Sequence, residues 1–535
     1  MIRVRMNKPW FEYDIYGLVR AFYPGQEVKV VCEEKEAFGT EELSPQVQTV
    51  DEATVSGAEA AIAEEVLRVK KDKTAQAEEQ NKDQNGQLNP VQLDIQYGDD
   101  SISLNLGILY LGGSSFQLSK AKHNKDASQR KKKDLLKQLI YQGLSKHLGM
   151  ELPWGTLTGI RPTKIPMAML EEGKDEEEIL QHMKENYFIS EEKGRLGIEI
   201  AKREKELLST LHYQNGYSLY LGIPFCPTTC LYCSFTSYPV NVWKKRVRDY
   251  LEALEKEMAA VAELCKEKVL DTVYIGGGTP TTLEPEELDF LLTALEKHFD
   301  VSQLQEFTVE AGRADSITRE KLRVLRQHKV GRISVNPQTM KEETLKLIGR
   351  RHTVEQVREA FLLAREEGFD NINMDIILGL PGEDEGDVHH TVSQLAEMGP
   401  DSLTVHSLAV KRASGMGQWI EENGRESLKN TATTMAIADK AAQQMGMKPY
   451  YLYRQKNMSG NLENVGYAKP GKYGIYNILI MEEKQMIAAL GAGGISKMIL
   501  PDGRIERSEN VKDVGLYIQR IDEMLERKKK LFSPL

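Results

Sequence analysis

With 535 residues, the chain is long enough for two to four domains, and its 40% hydrophobic and 28% charged content is that of a globular protein with sizeable cores. A formal charge of −10 argues against a broad nucleic-acid footprint, and no apolar run reaches the length needed to insert into a membrane. Only five cysteines occur, three of them within eight residues; this is not a secreted disulfide framework, and with no signal-peptide core at the amino terminus the expected location is cytoplasmic.

Residues 1–125 read as a small α/β domain with strands at 27–32, 91–97 and 101–111. Its middle, 33–87, is a polar insertion with one helix expected at 58–69. The basic run 120–133 leads into an apolar-periodic helix at 135–148 and reads as a solvated helix start more readily than as an anion site. A helical connector spans 126–210 and includes a Pro/Gly-rich stretch at 152–166.

From 211 to 411, short β-branched runs alternate with amphipathic segments. Strands are expected at 218–223, 272–275, 306–310, 332–335, 371–378 and 402–408, and helices at 246–266, 286–299, 354–367 and 387–398. Six β-then-α units mean parallel strands, in a barrel or an open sheet. In such folds chemistry gathers where strands end. Each predicted strand here runs into a distinctive segment: Cys226 to Cys233, Gly276-Gly-Gly-Thr-Pro280, Glu310-Ala-Gly-Arg313, Asn336-Pro-Gln338, Asp375 to Gly382, and His406 to Ala409.

Cys226-Pro-Thr-Thr-Cys230-Leu-Tyr-Cys233 offers three thiolates. A cubane iron-sulfur cluster has four corners, so three cysteines leave one iron for a small ligand. Structural zinc would need a fourth ligand, and no Cys or His follows at finger spacing. Thiol redox chemistry is a further alternative, but it leaves the glycine loop without a purpose. Cys32 and Cys265 read as small core residues.

The run Gly276 to Gly278 lets backbone approach a ligand closely, and it is not a P-loop because no Gly-Lys-Ser/Thr follows. Glu310, Gln338, Arg350 and Asp375 each stand at a strand end or in the segment after it. Together they form a rim able to hold an amino acid's charged groups and a ribose's hydroxyls.

These motifs resemble the oxygen-independent coproporphyrinogen III oxidase family of radical S-adenosylmethionine (SAM) proteins, in particular its HemZ-type branch. The likeness is carried by Tyr220-Leu-Gly-Ile-Pro-Phe-Cys226, Gly276-Gly-Gly-Thr-Pro280, Asn373-Met-Asp-Ile-Ile-Leu-Gly-Leu-Pro381 and Leu490-Gly-Ala-Gly-Gly-Ile495. The branch adds Leu157-Thr-Gly-Ile-Arg-Pro-Thr-Lys164, Arg332-Ile-Ser-Val-Asn-Pro-Gln-Thr-Met340 and Tyr450-Tyr-Leu-Tyr-Arg-Gln-Lys-Asn457.

The resemblance implies a partial six-stranded parallel barrel followed, from 412 to 535, by a mostly helical region. It implies a [4Fe-4S] cluster on Cys226, Cys230 and Cys233, with SAM on the open iron. Tyr220 and Tyr232 would pack beside both. Gly277, Gly278 and Thr279 would contact the methionine part of SAM, and Glu310, Gln338, Arg350 and Asp375 its polar atoms. Ala409 and Ile495 would contact it through backbone or packing.

The implied reaction is the anaerobic oxidative decarboxylation of coproporphyrinogen III to protoporphyrinogen IX, by a monomer served by a flavodoxin- or ferredoxin-type donor. No catalytic side chain is singled out; Arg161, Lys411, Arg412 and Arg454 are candidate cations for the tetrapyrrole's carboxylates. Family members with established oxidase activity carry a fourth cysteine where this chain has Phe235. HemW-type haem chaperones also lack it, so haem holding, or radical chemistry on another tetrapyrrole, stands as the alternative.

Overall fold

The computed structural model describes residues 1–24, 26–32, 91–108, 115–124, 126–159, 161–212, 215–235, 237–411, 413–424, 427–455, 458 and 462–533. The expected polar insertion, its helix at 58–69, and the last residues of the strand expected at 101–111 lie outside them. The chain gathers into two compact units, residues 1–158 with 184–190, and residues 159–183 with 191–535.

In the first unit, strands β1 (Ile2–Met6), β2 (Val28–Cys32), β3 (Val91–Tyr97), β4 (Ser101–Ile108) and β5 (Ser115–Lys122) form one sheet in the order β2-β1-β3-β4-β5. Side chains alternate across it, so Ile2, Val4 and Met6 are fully buried while Arg3 and Arg5 are not. The inward residues pack on helices α1 (Glu12–Phe22) and α2 (Gln129–Leu148) through Ile15, Leu18, Leu136 and Ile140. Ser128 caps α2 by accepting from the Lys131 amide at 3.3 Å, and Gly149 ends it at a left-handed φ of 62°.

The second unit is built on one sheet whose centre is parallel and runs in chain order. It comprises β6 (Gly216–Ile223), β9 (Val269–Gly277), β10 (Glu306–Gly312), β11 (Arg332–Val335), β12 (Ile372–Leu378) and β13 (Ser402–Ser407). Two short strands after β6, β7 (Phe225–Cys226) and β8 (Tyr238–Pro239), pair with each other. Crossovers run through α3 (Val247–Leu264), α4 (Pro285–His298), α5 (Arg319–Gln327), α6 (Val354–Glu366) and α7 (Glu385–Met398). Capping boxes start α4, α6 and α7, at Glu284 with Glu287, Thr353 with Gln356 and Asp384 with Asp387. These are six parallel strands in chain order joined by helices, the α/β arrangement expected from the sequence.

The carboxyl-terminal residues hold helices, among them α8 (Ile475–Glu482) and α9 (Ile521–Phe532), and also five strands that the mostly helical expectation omits. β14 (Lys448–Tyr453) and β15 (Asn464–Ala468) extend the sheet beyond β13, with β15 antiparallel to it. β16 (Met486–Leu490) lies parallel to β6 at the other edge, followed by antiparallel β17 (Ile495–Ile499) and β18 (Ile505–Glu509). Runs such as Met-Ile-Ala-Ala-Leu are buried on both faces, so they carry no alternation that distinguishes strand from helix. No helix among the described residues is long and apolar enough to cross a membrane.

Glu306, at the start of β10, fixes α8 in place. Its carboxylate accepts the backbone amides of Ile475 and Tyr476, the latter at 3.2 Å, and the Thr308 hydroxyl at 2.7 Å. A carboxylate on the first amides of a helix satisfies donors that would otherwise be orphaned. The anchor brings Tyr476 against the parallel strands.

Candidate cluster and cofactor site

The cysteine loop leaves β6 through Pro224 and is closed on itself by β7 and β8, which pair Phe225 with Tyr238 and Cys226 with Pro239. Two backbone bonds stitch it to the glycine loop after β9, from the Gly278 amide to the Ile223 carbonyl (2.8 Å) and from the Thr279 amide to the Phe225 carbonyl (2.7 Å). All three cysteines are free thiols; Cys226 is buried and Cys230 and Cys233 partly so. The Cys226 Sγ lies 3.5 Å from the Thr279 hydroxyl, and burial pushes its thiol up to about 11. Burial raises the Cys233 thiol as well. Such thiols are poor nucleophiles near neutrality and release their protons to a strongly binding metal, which weighs against thiol redox catalysis.

Among the described residues, no group of three or more His, Cys, Asp or Glu side chains is drawn together as a metal site.

The glycines are required by the close approach of neighbouring strands. Gly277 adopts φ 108°, and a Cβ on Gly278 would lie 2.5 Å from the Phe225 carbonyl and 3.0 Å from the Cys226 sulfur. A Cβ on Gly276 would meet the Glu310 carboxyl at 3.0 Å.

Along the strand ends, β6, β10, β12 and β13 are buried except at Tyr220, Glu310, Asp375 and His406, which are the partly open positions of their strands. Glu310 accepts a hydrogen bond from Tyr274 at 2.6 Å; burial, with a smaller contribution from Asp375, pushes its carboxyl up to about 7. Asp375 moves the other way. Burial alone would raise it, but His406 at 3.7 Å and the Asn373 amide at 2.6 Å hold it below the usual carboxylate range.

Gln338 is held at φ 71°, rare for a residue with a Cβ, by backbone bonds in both directions with β12: its amide to the Asp375 carbonyl and the Ile377 amide to its own carbonyl, each 2.9 Å. Its side chain is buried, and among the described residues Oε1 has no hydrogen-bond partner. Arg350, also buried, donates to the Asn336 carbonyl and to the Tyr232 hydroxyl at 3.1 Å, and its charge lies near Cys230.

The geometry therefore joins Cys226 to Thr279, Gly276 to Glu310, Gln338 to Asp375, and Arg350 to Tyr232. Ala409 and Ile495 stand at the margins, one just after β13 and the other exposed at the head of β17. Several residues were missed by sequence reasoning. Tyr274 and Tyr476 stack with each other and with Tyr220, the tyrosine already expected beside the cofactor, at centroid distances of 4.6–6.3 Å. Arg313 reaches under the cysteine loop, its Nη1 2.6 Å from the Thr228 hydroxyl. His406 and Asn373 flank Asp375. A signal existed for Tyr274, which precedes Gly276 by two residues and so shares its face of β9.

The candidate substrate cations fare differently. Arg161 is engaged by Glu483 at 2.5 Å and the Met481 carbonyl at 2.6 Å. Arg454 is buried, its guanidinium depressed to about 10 by burial with Glu463 opposing. Lys411 follows β13, its ammonium lowered by burial, and Arg412 lies outside the described residues. A cavity of 470 Å³ opens instead around the strands' amino ends, beside Glu306, Arg332 and Lys472; none of the rim residues lines it.

The Radical SAM superfamily model matches residues 220–395. The oxygen-independent coproporphyrinogen-III oxidase-like protein HemZ of Bacillus subtilis (strain 168) is 43% identical over 397 residues, covering 73% of this chain and 79% of the relative. The heme chaperone HemW of the same organism is 37% identical over 195 residues, 36% of this chain and 51% of its own. The solved structure of the radical SAM coproporphyrinogen III oxidase HemN from Escherichia coli is 22% identical, covers 60% of this chain and 72% of its own, and aligns with a TM-score of 0.47.

Proposed function

The chain belongs to the radical SAM superfamily, in the group of the oxygen-independent coproporphyrinogen-III oxidase-like protein HemZ, and from that premise we propose that it carries out the anaerobic oxidative decarboxylation of coproporphyrinogen III to protoporphyrinogen IX. Members of this superfamily bind a [4Fe-4S] cluster and SAM. The residues present fit both. Three thiols share one loop, glycine at 278 leaves the sulfur of Cys226 uncrowded, and Oε1 of Gln338 is a buried acceptor lacking a donor among the described residues. When bound, the pair supplies a one-electron reductant and, through SAM, the power to remove a hydrogen atom from an unactivated carbon.

The protein's share is placement. Cys226, Cys230 and Cys233 would hold the cluster. Glu310, ionised when a cation sits beside it, would take the ammonium of SAM, and Arg350 the carboxylate. Asp375, kept ionised by His406 and Asn373, is suited to accept from ribose hydroxyls, and Gln338 from an amine. Tyr220 and Tyr232 would cover the two and exclude water.

The observation that carries the reading is the 43% identity to the HemZ relative over most of both chains. Its test is anaerobic: reconstituted protein with SAM, dithionite and coproporphyrinogen III should release 5′-deoxyadenosine and carbon dioxide together. SAM cleavage without carbon dioxide would count against it. A second reading, haem holding as in the HemW relative, is favoured by Phe235, 74% exposed at the position of the fourth cysteine. Stable haem binding and transfer to an apo-acceptor without decarboxylation would select it.

A further inference from the structure

Resting on the cluster reading above, we infer that Arg313 is a positioning residue that shapes the cysteine loop and sets the reduction potential of the cluster through Cys230.

Arg313 follows β10, and its side chain is 3% exposed. Its Nη1 donates to the Thr228 carbonyl at 3.2 Å and hydroxyl at 2.6 Å, and lies 3.9 Å from the Cys230 sulfur. The other edge of the guanidinium is held by Asp315, from Nε at 2.9 Å and from Nη2 at 2.7 Å. Behind Asp315 stands His352, buried, 3.6 Å away. Thr228 in turn donates to the Gly349 carbonyl at 3.0 Å, and the Leu231 amide to the Ile348 carbonyl at 3.0 Å. The segment between Cys226 and Cys230 is thus seated on two elements that Arg313 ties together.

The three sulfurs are unequal. Cys226 faces the Thr279 hydroxyl, with the Arg313 charge only a minor influence on it, and Cys233 lies beside the Phe235 backbone and Ser237, with the Arg350 charge likewise a minor influence. Cys230 has buried guanidiniums on two sides, Arg313 and Arg350. Reduction transfers one electron from a low-potential one-electron donor to the cluster and moves no proton, so the cluster with its thiolates becomes one charge more negative. A buried cation near one thiolate favours that state more than solvent would, and hydrogen bonds to cluster sulfurs act in the same direction. Arg350 also reaches the rim where SAM is placed, whereas Arg313 is committed to the loop. Asp315 offsets part of its charge from farther away.

The test is a redox titration of the reconstituted protein without SAM, with dithionite and mediators, followed by the electron paramagnetic resonance signal of the reduced cluster, with iron counted per chain. Arg313→Gln is expected to move the midpoint to more negative potential, Arg313→Lys to stay near the parent, and Asp315→Asn to move it to more positive potential. Shifts of one sign in Arg313→Gln and Asp315→Asn, or no shift at parent-level iron, would overturn the inference. If Arg313→Gln fails to hold iron, Asp315→Asn decides alone, and an unmoved midpoint there overturns it. A parent protein with no cubane signal would instead sink the cluster reading itself, and the inference with it, recognisable because parent and variants are silent alike.

Discussion

Glu310→Gln separates a carboxyl that serves a ligand from one that serves the fold. In the folded protein the group is pushed from its ordinary 4.5 to about 7, chiefly by burial. The folded state therefore binds its proton more tightly than the unfolded chain does. The stability this contributes is complete below about pH 4.5 and is lost as pH rises toward 7, above which the native state carries a buried carboxylate. At about 1.4 kcal/mol per pH unit, the difference reaches about 3 kcal/mol, a ceiling because Glu310 is partly open to the cleft. Glutamine cannot ionise, so Glu310→Gln should match the parent near pH 4, exceed it progressively in thermal midpoint as pH rises from 4.5 to 7, and keep a constant lead above that. Binding should show the opposite preference. A cation beside Glu310 requires it ionised, so SAM affinity should weaken up to tenfold per pH unit below 7 in the parent, and binding at pH 7 should release about half a proton. Calorimetry in two buffers of different ionisation enthalpy measures that proton. A parent and variant whose midpoints stay parallel from pH 4 to 7, or SAM binding with no proton released, would refute the reasoning.

Cys230→Ala should lose the brown chromophore and SAM cleavage while circular dichroism stays that of the parent; retained iron near four per chain would contradict the ligand assignment. Gly278→Ala places a Cβ 2.5 Å from the Phe225 carbonyl and should destabilise the loop by about 1–3 kcal/mol, read as iron lost on gel filtration. Full retention would show that the two loops separate without cost. Lys528→Met leaves Glu257 buried without its cation, the pair being 2.6 Å apart with both side chains fully buried, and should cost about 3–5 kcal/mol in thermal unfolding. Adding Glu257→Gln should recover part of that loss, and a double variant no more stable than Lys528→Met alone would rule out the unpaired charge as its cause.

How much of this was legible in the sequence follows from the range of the interactions concerned. The six central strands were readable because buried parallel strands are short β-branched runs and because each ends in residues that fit no core, such as the triple glycine and the cysteines. Arg332 to Val335 begins and ends where its composition says, and Asp384 with Asp387 marks the start of α7 locally. β14, β15 and β16 were not readable, since five or six mostly buried residues carry no period. Partner choice among charges was still less so. Arg161 and Arg313 look alike in the sequence, yet one is spent on Glu483 and the Met481 carbonyl and the other on Asp315 and the cysteine loop.

That difference follows from what a buried charge demands. A buried guanidinium has to find acceptors for each of its edges, and where they stand is settled by the sheet rather than by neighbours in the chain. The same holds for Glu257. It accepts from the Gly491 amide at 2.8 Å, the Tyr517 hydroxyl at 2.6 Å, the Asn510 amide at 2.8 Å and Lys528 at 2.6 Å, partners 234 to 271 residues away along the chain. Asn510 returns a second bond to the Gly491 carbonyl at 2.8 Å, so the helix that supplies Lys528 and the strand that carries Glu509 close around one glycine turn. Ile495 leaves that turn. The placement of a residue at the margin of the site thus depends on the last helix of the chain, and a truncation before Lys528 should weaken SAM binding although no residue removed touches the rim.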